Sequence, residues 1–348
     1  MKIIHVADLH IGSAFGDFSN EAKRQRKAEL VNSFKRIVDY AHENSISIIL
    51  LSGDVFDKDR VNKADKDYFY QIIEGNPDIS FYYLKGNHDI KSEVNKEDIP
   101  NLFLFNNEWK YYNVKDVVIA GVEISSNNKS IIPSTLNLTS DKFNIVMLHS
   151  DIKELVINKF KNKFIDYMAL GHIHSYCCNN LDSRGVYVYS GCLEGRGFDE
   201  VGEKGFVVID SIAKTHQFIP FAVRGVYEVK IDITNTKTLY DAVKLIEEKM
   251  LFIPKGSIAR SIVIGSVTYP LSELDKRLHL ALDFKFMYYE VKNKTTKLLN
   301  LIDYQHDISL RGEVIRTILS KKLDLDKQNQ ILDDCIKLLN GEDIDLCD

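Results

Sequence analysis

Ten histidines are spread over 348 residues, and five of them stand in short polar segments that close apolar runs. The segments read Asp8-Leu9-His10, Gly86-Asn87-His88-Asp89, His149-Ser150-Asp151 and Gly171-His172-Ile173-His174. One more apolar run ends in Gly53-Asp54-Val55-Phe56-Asp57. Carboxylate, amide and imidazole groups are oxygen and nitrogen ligands, and no cysteine stands in these segments. That mixture suits Mn²⁺, Fe²⁺ or Zn²⁺ better than a thiolate-bound metal. In extended backbone, residues i and i+2 point the same way. Asp8 and His10 can therefore grip one ion together, and His172 and His174 can lean toward two adjacent ions. Asp54 carries two oxygens and could bridge two cations. Gly53, Gly86 and Gly171 each precede a candidate ligand and permit a sharp exit from a strand. One D-x-H or G-H-x-H alone is a weak signal; the conjunction of all these segments, each after an apolar run, carries the metal reading. The remaining histidines have blander places. His42 closes a helix, where a cation meets the negative end of the dipole. His5 lies inside a strand, and His216, His279 and His306 have no ligand company.

Strands and helices must place these segments side by side. Lys2–Ala7, Ser47–Leu51, Ser80–Leu84, Val117–Val122, Asn144–Leu148, Tyr167–Leu170, Val186–Tyr189 and Gly205–Ile209 read as strands. Glu21–Asn44 carries Leu30, Val31, Phe34, Ile37, Val38 and Ala41 on one helical face, and Lys63–Glu74 reads as a second helix. Strand–helix–strand order implies parallel strands, whose carboxyl ends are where sites are built. The closely spaced later strands suggest a second sheet. The expected fold class is α/β: a two-sheet β-sandwich flanked by helices, over residues 1–219. Past Pro220 the pattern becomes β-α-β-α-β (Val226–Ile233, Leu239–Met250, Arg260–Tyr269, Ser272–Leu282, Met287–Lys292), a smaller α+β unit over 220–300. Residues 301–348 hold two amphipathic helices, about Leu310–Lys322 and Asp326–Asn340, with Asp326 as N-cap and Gly341 as stop. In the last one Ile331, Leu332, Cys335, Ile336, Leu338 and Leu339 form a wide apolar face. Such a face must be buried, either on the chain itself or on a partner.

Composition excludes several classes. The chain is 45% hydrophobic and 27% charged, with a net charge of −5, an ordinary globular profile. With 6 prolines and 18 glycines it is neither collagenous nor disordered. No apolar stretch approaches the ~20 residues of a membrane span, and the N-terminus lacks a signal-peptide core. The acidic balance argues against a nucleic-acid coat protein but not against a nuclease. Five cysteines without a C-x-x-C pair fit free thiols in a reducing compartment, so a cytoplasmic location is expected.

The order D-x-H, G-D-x-x-D, G-N-H-D, H, G-H-x-H from Asp8 to His174 resembles the calcineurin-like metallophosphoesterase superfamily. The block Ser190-Gly191-Cys192-Leu193-Glu194-Gly195-Arg196-Gly197-Phe198 with Glu200-Val201-Gly202-Glu203-Lys204-Gly205 is similar to a segment of its SbcD-type (YhaO-like) DNA double-strand-break repair exonucleases. The resemblance implies a two-sheet sandwich with a capping domain and C-terminal helices. It implies one metal on Asp8, His10, Asp54 and His174, and another on Asp54, Asn87, His149 and His172, with Asp54 bridging. It implies His88 as the catalytic, non-ligand histidine, Asp89 as the group that orients it, and Asp57 in supporting position; some relatives carry His there. The implied cofactors are two divalent ions, Mn²⁺ first, with Fe²⁺ or Zn²⁺ as alternatives. Two cations ~3.5–4 Å apart neutralise a phosphodiester and activate a shared water for in-line attack. Arg196 could clamp a phosphate, or form a salt bridge to Asp199 or Glu200. The implied partners are DNA and an SbcC-type ABC ATPase with a coiled coil, docked on the last helices; no membrane is implied, and a homodimer is left open. The rival readings are a small-molecule phosphodiesterase or phosphatase with the same ligands, and a DNA-binding repair scaffold.

Overall fold

The computed structural model describes residues 1–16, 18–89, 99–297, 306–321 and 323–339. The chain runs β1 (Lys2–Val6), α1 (Asn20–Glu43), β2 (Ile48–Ser52), α2 (Lys63–Glu74), β3 (Ser80–Leu84), β4 (Leu102–Leu104), β5 (Lys110–Val114) and β6 (Val117–Gly121). It continues through α3 (Ile132–Thr135), β7 (Phe143–His149), α4 (Ile152–Leu155), β8 (Tyr167–Gly171), β9 (Cys177–Asn180), β10 (Val186–Tyr189), β11 (Gly205–Asp210) and β12 (Thr215–Pro220). These strands form two six-stranded sheets, ordered β12-β11-β1-β2-β3-β4 and β5-β6-β7-β8-β10-β9.

Strands β1 to β4 pair in parallel, and β6, β7, β8 and β10 do the same in the second sheet. Strands β2, β6, β7 and β8 are buried at every position, as strands covered on both faces must be, which is why they read as unbroken apolar runs. Between the sheets Ile3, Ile48, Leu50 and Leu84 meet Ile119, Ile145, Met147 and Ala169. Each of the buried Ile, Leu and Met side chains contributes about 1.5–3 kcal/mol. On the outer face of the first sheet, α1 lays down Phe34, Ile37, Val38 and Ala41, beside Phe69 and Ile73 of α2. Ser19 starts α1 by accepting the N–H of Ala22. Ala120, Val122, Ile132, Leu148, Phe160 and Leu170 form the core on the far side of the second sheet. The two-sheet sandwich flanked by helices is therefore the observed architecture. β11 returns from far along the chain to pair antiparallel with β1, Lys2 opposite Asp210 and His5 opposite Val207.

β4, β5, β9 and β12 have no counterpart in the sequence reading. They are short or lie at sheet edges, and β9 reads Cys-Cys-Asn-Asn, with no apolar run to mark it.

A third sheet follows, of β13 (Val226–Asp232), β14 (Ile258–Val267) and β15 (Tyr288–Lys297), all parallel. Its crossovers are α5 (Leu239–Met250) and α6 (Leu274–Leu282). Ile246, Met250, Leu278 and Leu282 from the helices close on Ile231, Ala259 and Val263. β15 runs on past the expected Lys292 to Lys297. Phe15, Phe18 and Leu30 pack on Val226 and Ile258, joining this sheet to the sandwich. Arg224 adds a bridge, to Glu29 at 2.7 Å and to the Gly256 carbonyl at 2.6 Å.

The last described elements are α7 (Leu310–Leu319) and α8 (Leu325–Leu339), which pack on each other through Ile315, Ile318 and Leu332. The expected N-cap of α8, Asp326, is corrected: the helix starts at Leu325, and the carboxylate of Asp324 accepts the N–H of Lys327 at 2.9 Å. The expected stop, Gly341, lies outside the described residues. Among the described residues, no helix is long and apolar enough to cross a membrane.

Candidate metal centre

The carboxyl ends of β1, β2, β3, β7 and β8 lie along one crest. Asp8 and His10 follow β1, Asp54 follows β2, and Asn87 and His88 follow β3; His149 ends β7, and His172 and His174 follow β8. Backbone bonds lace these exits together: Asp8 N–H donates to the Gly53 carbonyl, and His10 N–H to that of Asp54, both at 3.0 Å. Asp8, His10, Asp54 and His172 take left-handed backbone (φ 52°, 46°, 51° and 101°). That costs a non-glycine residue about 1–3 kcal/mol and persists only where the surroundings enforce it. At Gly171 a Cβ would sit 2.0 Å from the Ser52 carbonyl oxygen, and at Gly86 a Cβ would sit 2.2 Å from Asp54 Oδ1. Only glycine lets these strands approach so closely.

The side chains converge. His10 Nε2 lies 3.1 Å from His174 Nε2 and 3.8 Å from Asp54 Oδ2. The same Asp54 oxygen lies 3.3 Å from His149 Nε2. Asn87 Oδ1 lies 3.2 Å from His149 Nε2 and 3.3 Å from His172 Nδ1. Both oxygens of Asp8 accept the His172 N–H, at 3.1 and 3.0 Å. Asp8, His10 and His174 form one group with ligand atoms within 4.8 Å of one another; Asp8, Asp54 and His149 form a second.

Outward bonds fix which nitrogen faces inward. His149 Nδ1–H donates to the Ser52 carbonyl at 2.9 Å, and His174 Nδ1–H to Glu200 at 2.7 Å. Their Nε2 atoms are thereby turned toward the centre, the orientation of metal-binding histidines. His10 Nε2 meets His174 Nε2 at 3.1 Å beside buried carboxylates, and the buried His10 Nδ1 has no hydrogen-bond partner among the described residues. The donor set fits divalent metal.

The electrostatics agree. Burial pushes Asp8 up to about 6, against the pull of His149 and His174. Burial also opposes the charge on Asp54, yet the bond from His149, the His88 N–H and the field of His10 hold its carboxyl well below the usual range. Burial, aided by the Arg196 charge, pushes His10 down to about 3. His149 loses hydration on burial, but its partners Asp54 and Asp8 lift it to about 9.

His88 stands beside this group, with its side chain 26% exposed, and lines a cleft of about 430 Å³ with Asp57, Arg60, Phe198, Arg260 and Tyr288. Its Nδ1 donates to Asp57 Oδ1 at 2.9 Å. The expectation that Asp89 orients His88 is corrected. Asp89 is buried and accepts the backbone N–H groups of Val55, Phe56 and Gly86, tying two ligand-bearing loops together. Asp57 takes the orienting place, and Ser13 Oγ donates to its other oxygen at 3.1 Å. Arg196 forms the salt bridge to Glu200, with Nε at 3.0 Å, rather than standing free as a phosphate clamp. Ser13 and the contact of Glu200 with His174 were missed. Their partners lie 44 and 26 residues away in the chain, and no local pattern announces them.

Residues 1–176, half of the chain, match the calcineurin-like phosphoesterases. The chain belongs to that family: it is a hydrolase whose fold implies divalent metal ions, with ligand groups in place to hold them. Among curated relatives it is similar to the DNA double-strand break repair protein Mre11 of Saccharolobus solfataricus, 24% identical over 99% of this chain and 96% of the relative. It is similar to Mre11 of Sulfurisphaera tokodaii, 24% identical over 88% of this chain and 84% of that one. The uncharacterized metallophosphoesterase YhaO of Bacillus subtilis is 25% identical over 71% of this chain and 67% of its own length.

Proposed function

We propose that this protein is a two-metal DNA nuclease, an exonuclease acting in DNA repair in the cytoplasm with an SbcC-type ATPase. The observation that carries the reading is the reach of the likeness to the repair protein Mre11, 99% of this chain, past the metal-binding half and through the third sheet and last helices. In this reading residues 1–219 are the nuclease domain, 220–300 the cap and 301–348 the partner-docking helices. Asp8, His10, Asp54 and His174 hold one ion, and Asp54, Asn87, His149 and His172 the other, with Mn²⁺ as the working metal. When bound, a pair of divalent cations neutralises the phosphodiester and makes water nucleophilic at neutral pH. The chain's own part is positional. Asn87 Oδ1 lies 3.2 Å from His149 Nε2 and 3.3 Å from His172 Nδ1, so the three donor atoms stand together where one ion would sit. Asp57 accepts the His88 Nδ1–H and would stabilise the imidazolium form, whose Nε2–H can pass a proton to the leaving oxygen and leave the ring neutral. The crest is lined with imidazole, so Mn²⁺ should support activity and Mg²⁺, which prefers oxygen ligands and retained water, only poorly.

The test is purified protein with Mn²⁺ on labelled single- and double-stranded DNA, beside a chromogenic phosphodiester. Shortening of DNA from an end is the expected result. Turnover of the small ester alone replaces the nuclease with a small-molecule phosphodiesterase. For the partner, the experiment is deletion of residues 323–348. The shortened protein should bind both metals and cut short DNA but no longer co-purify with the ATPase. Aggregation or early melting assigns α8 to the chain's own core instead.

A further inference from the structure

We propose that Glu200 is a positioning residue that sets the tautomer of His174, and that Arg196 and Ser13 tie this pair to the Asp57–His88 pair on the other side of the centre. The inference rests on the metal-centre reading given above. Glu200 is buried, its side chain 3% exposed, and Oε1 lies 2.7 Å from His174 Nδ1. Its carboxylate is anchored from behind by Arg196, whose backbone N–H reaches Oε2 at 2.7 Å and whose Nε reaches Oε1 at 3.0 Å and Oε2 at 3.2 Å. The thiol of Cys192 closes the nest at 3.7 Å. Arg196 Nη1 then donates to Ser13 Oγ at 3.1 Å, Ser13 Oγ donates to Asp57 Oδ2 at 3.1 Å, and Asp57 Oδ1 accepts His88 Nδ1–H at 2.9 Å. One chain of hydrogen bonds thus runs from His174 to His88 without touching the centre itself.

Two groups compete for His174 Nδ1. Glu200 is an acceptor at 2.7 Å, and Arg196 Nη2 is a donor at 3.0 Å. If Nδ1 gives its proton to Glu200, Nε2 is a lone pair and can bind metal. If Nδ1 accepts from Arg196, Nε2 carries the proton and cannot. The carboxylate decides in favour of the first state. Removing it hands Nδ1 to the guanidinium, so a residue that never reaches the ion controls whether His174 is a ligand. Such partners of ligating histidines are worth about 10–100-fold in metal affinity.

The experiment uses full-length protein. Imidazole ¹⁵N NMR of the metal-free form, under alkaline conditions that keep the ring neutral, should find His174 with its proton on Nδ1. The Glu200→Ala variant should move it to Nε2 and weaken Mn²⁺ binding, measured by calorimetry, by about 10–100-fold. Adding Arg196→Met to Glu200→Ala removes the competing donor and should restore part of that affinity; a merely structural Glu200 would make the double variant worse. A wild-type His174 protonated on Nε2 overturns the proposal whether or not any variant folds. So does a Glu200→Ala protein with unchanged tautomer and affinity. A wild-type protein that binds no Mn²⁺ at all is a different failure, that of the metal-centre reading.

Discussion

The crest of the sandwich and the third sheet handle buried polarity in opposite ways. At the crest Asp8, His10, Asp54 and His149 are buried together, with their ligand atoms turned toward one another. In the third sheet the core is aliphatic and aromatic, and the polar pair Ser261–Tyr289 satisfies itself at 2.8 Å. Its charged cluster, Arg260 with Glu228 and Glu290, lies on the partly open face against the Phe198 ring, 3.8 Å away. One region turns its buried polar groups toward a shared centre, and the other pairs its charges with one another, with Arg260 Nε left unpartnered among the described residues. Side chains at the crest should therefore be separable from stability, and those of the third sheet inseparable from it.

The largest effect tests that contrast directly. Asp54→Asn should lose both ions and all measurable turnover while staying folded. Ile246→Ala, fully buried in the third sheet, should cost about 2–5 kcal/mol of stability and keep two ions bound. Metal content by mass spectrometry and urea unfolding read the two out; two full ions in Asp54→Asn would break the comparison. Next, His88→Ala should lower turnover by about 10²–10⁴-fold with wild-type metal content, since it lies beside the proposed ligands and not among them. Loss of an ion in this variant would move His88 into the ligand set.

A third prediction concerns pH and sharpens what burial does in the sandwich. His5 is buried, donates to or accepts from the Tyr167 hydroxyl at 2.9 Å, and is pushed down by burial to about 3. The unfolded chain takes up a proton near pH 6.5 that the folded chain refuses until about 3, so this contribution is whole above 6.5 and shrinks as pH falls. Unfolding free energies of wild type and His5→Gln, measured in urea across that range, should diverge with a slope of about 1.4 kcal/mol per pH unit. Parallel curves would mean that the ring is protonated in the fold. The smallest effect belongs to the surface of the third sheet's helical layer, where Phe252 and Phe284 are 89% and 78% exposed. Changing either to Ser should shift stability by no more than about 0.5 kcal/mol, with metal content unchanged.

How much of this was legible in the sequence follows from where each signal resides. The strands that carry the candidate ligands are buried on both faces, so their apolar runs stand out and their polar ends mark the crest. Helices α1, α2 and α5 announce themselves by periodicity. The edge strands β9 and β12 do not, since half of each faces solvent. At the centre, residue types and spacing picked out groups that the fold brings within hydrogen-bond reach. What holds them was hidden. Asp57, carried by the loop after β2, lies 2.9 Å from His88 Nδ1, while Asp89 accepts the backbone N–H groups of Val55, Phe56 and Gly86. A pairing made by loop geometry has no period to read.

The pairing of β1 with β11 bears on how the chain comes off the ribosome. β1 is an inner strand of its sheet, yet one of its two neighbours, Gly205–Asp210, is encoded some 200 residues later. At ~5–20 residues per second, synthesis leaves that edge unpaired for on the order of 10–40 s. During that interval Lys2–Val6 presents an open row of amides and carbonyls to any other nascent strand. A fragment ending before Gly205 would keep that liability permanently. The family-defining first half of this chain, expressed alone, would carry that open edge.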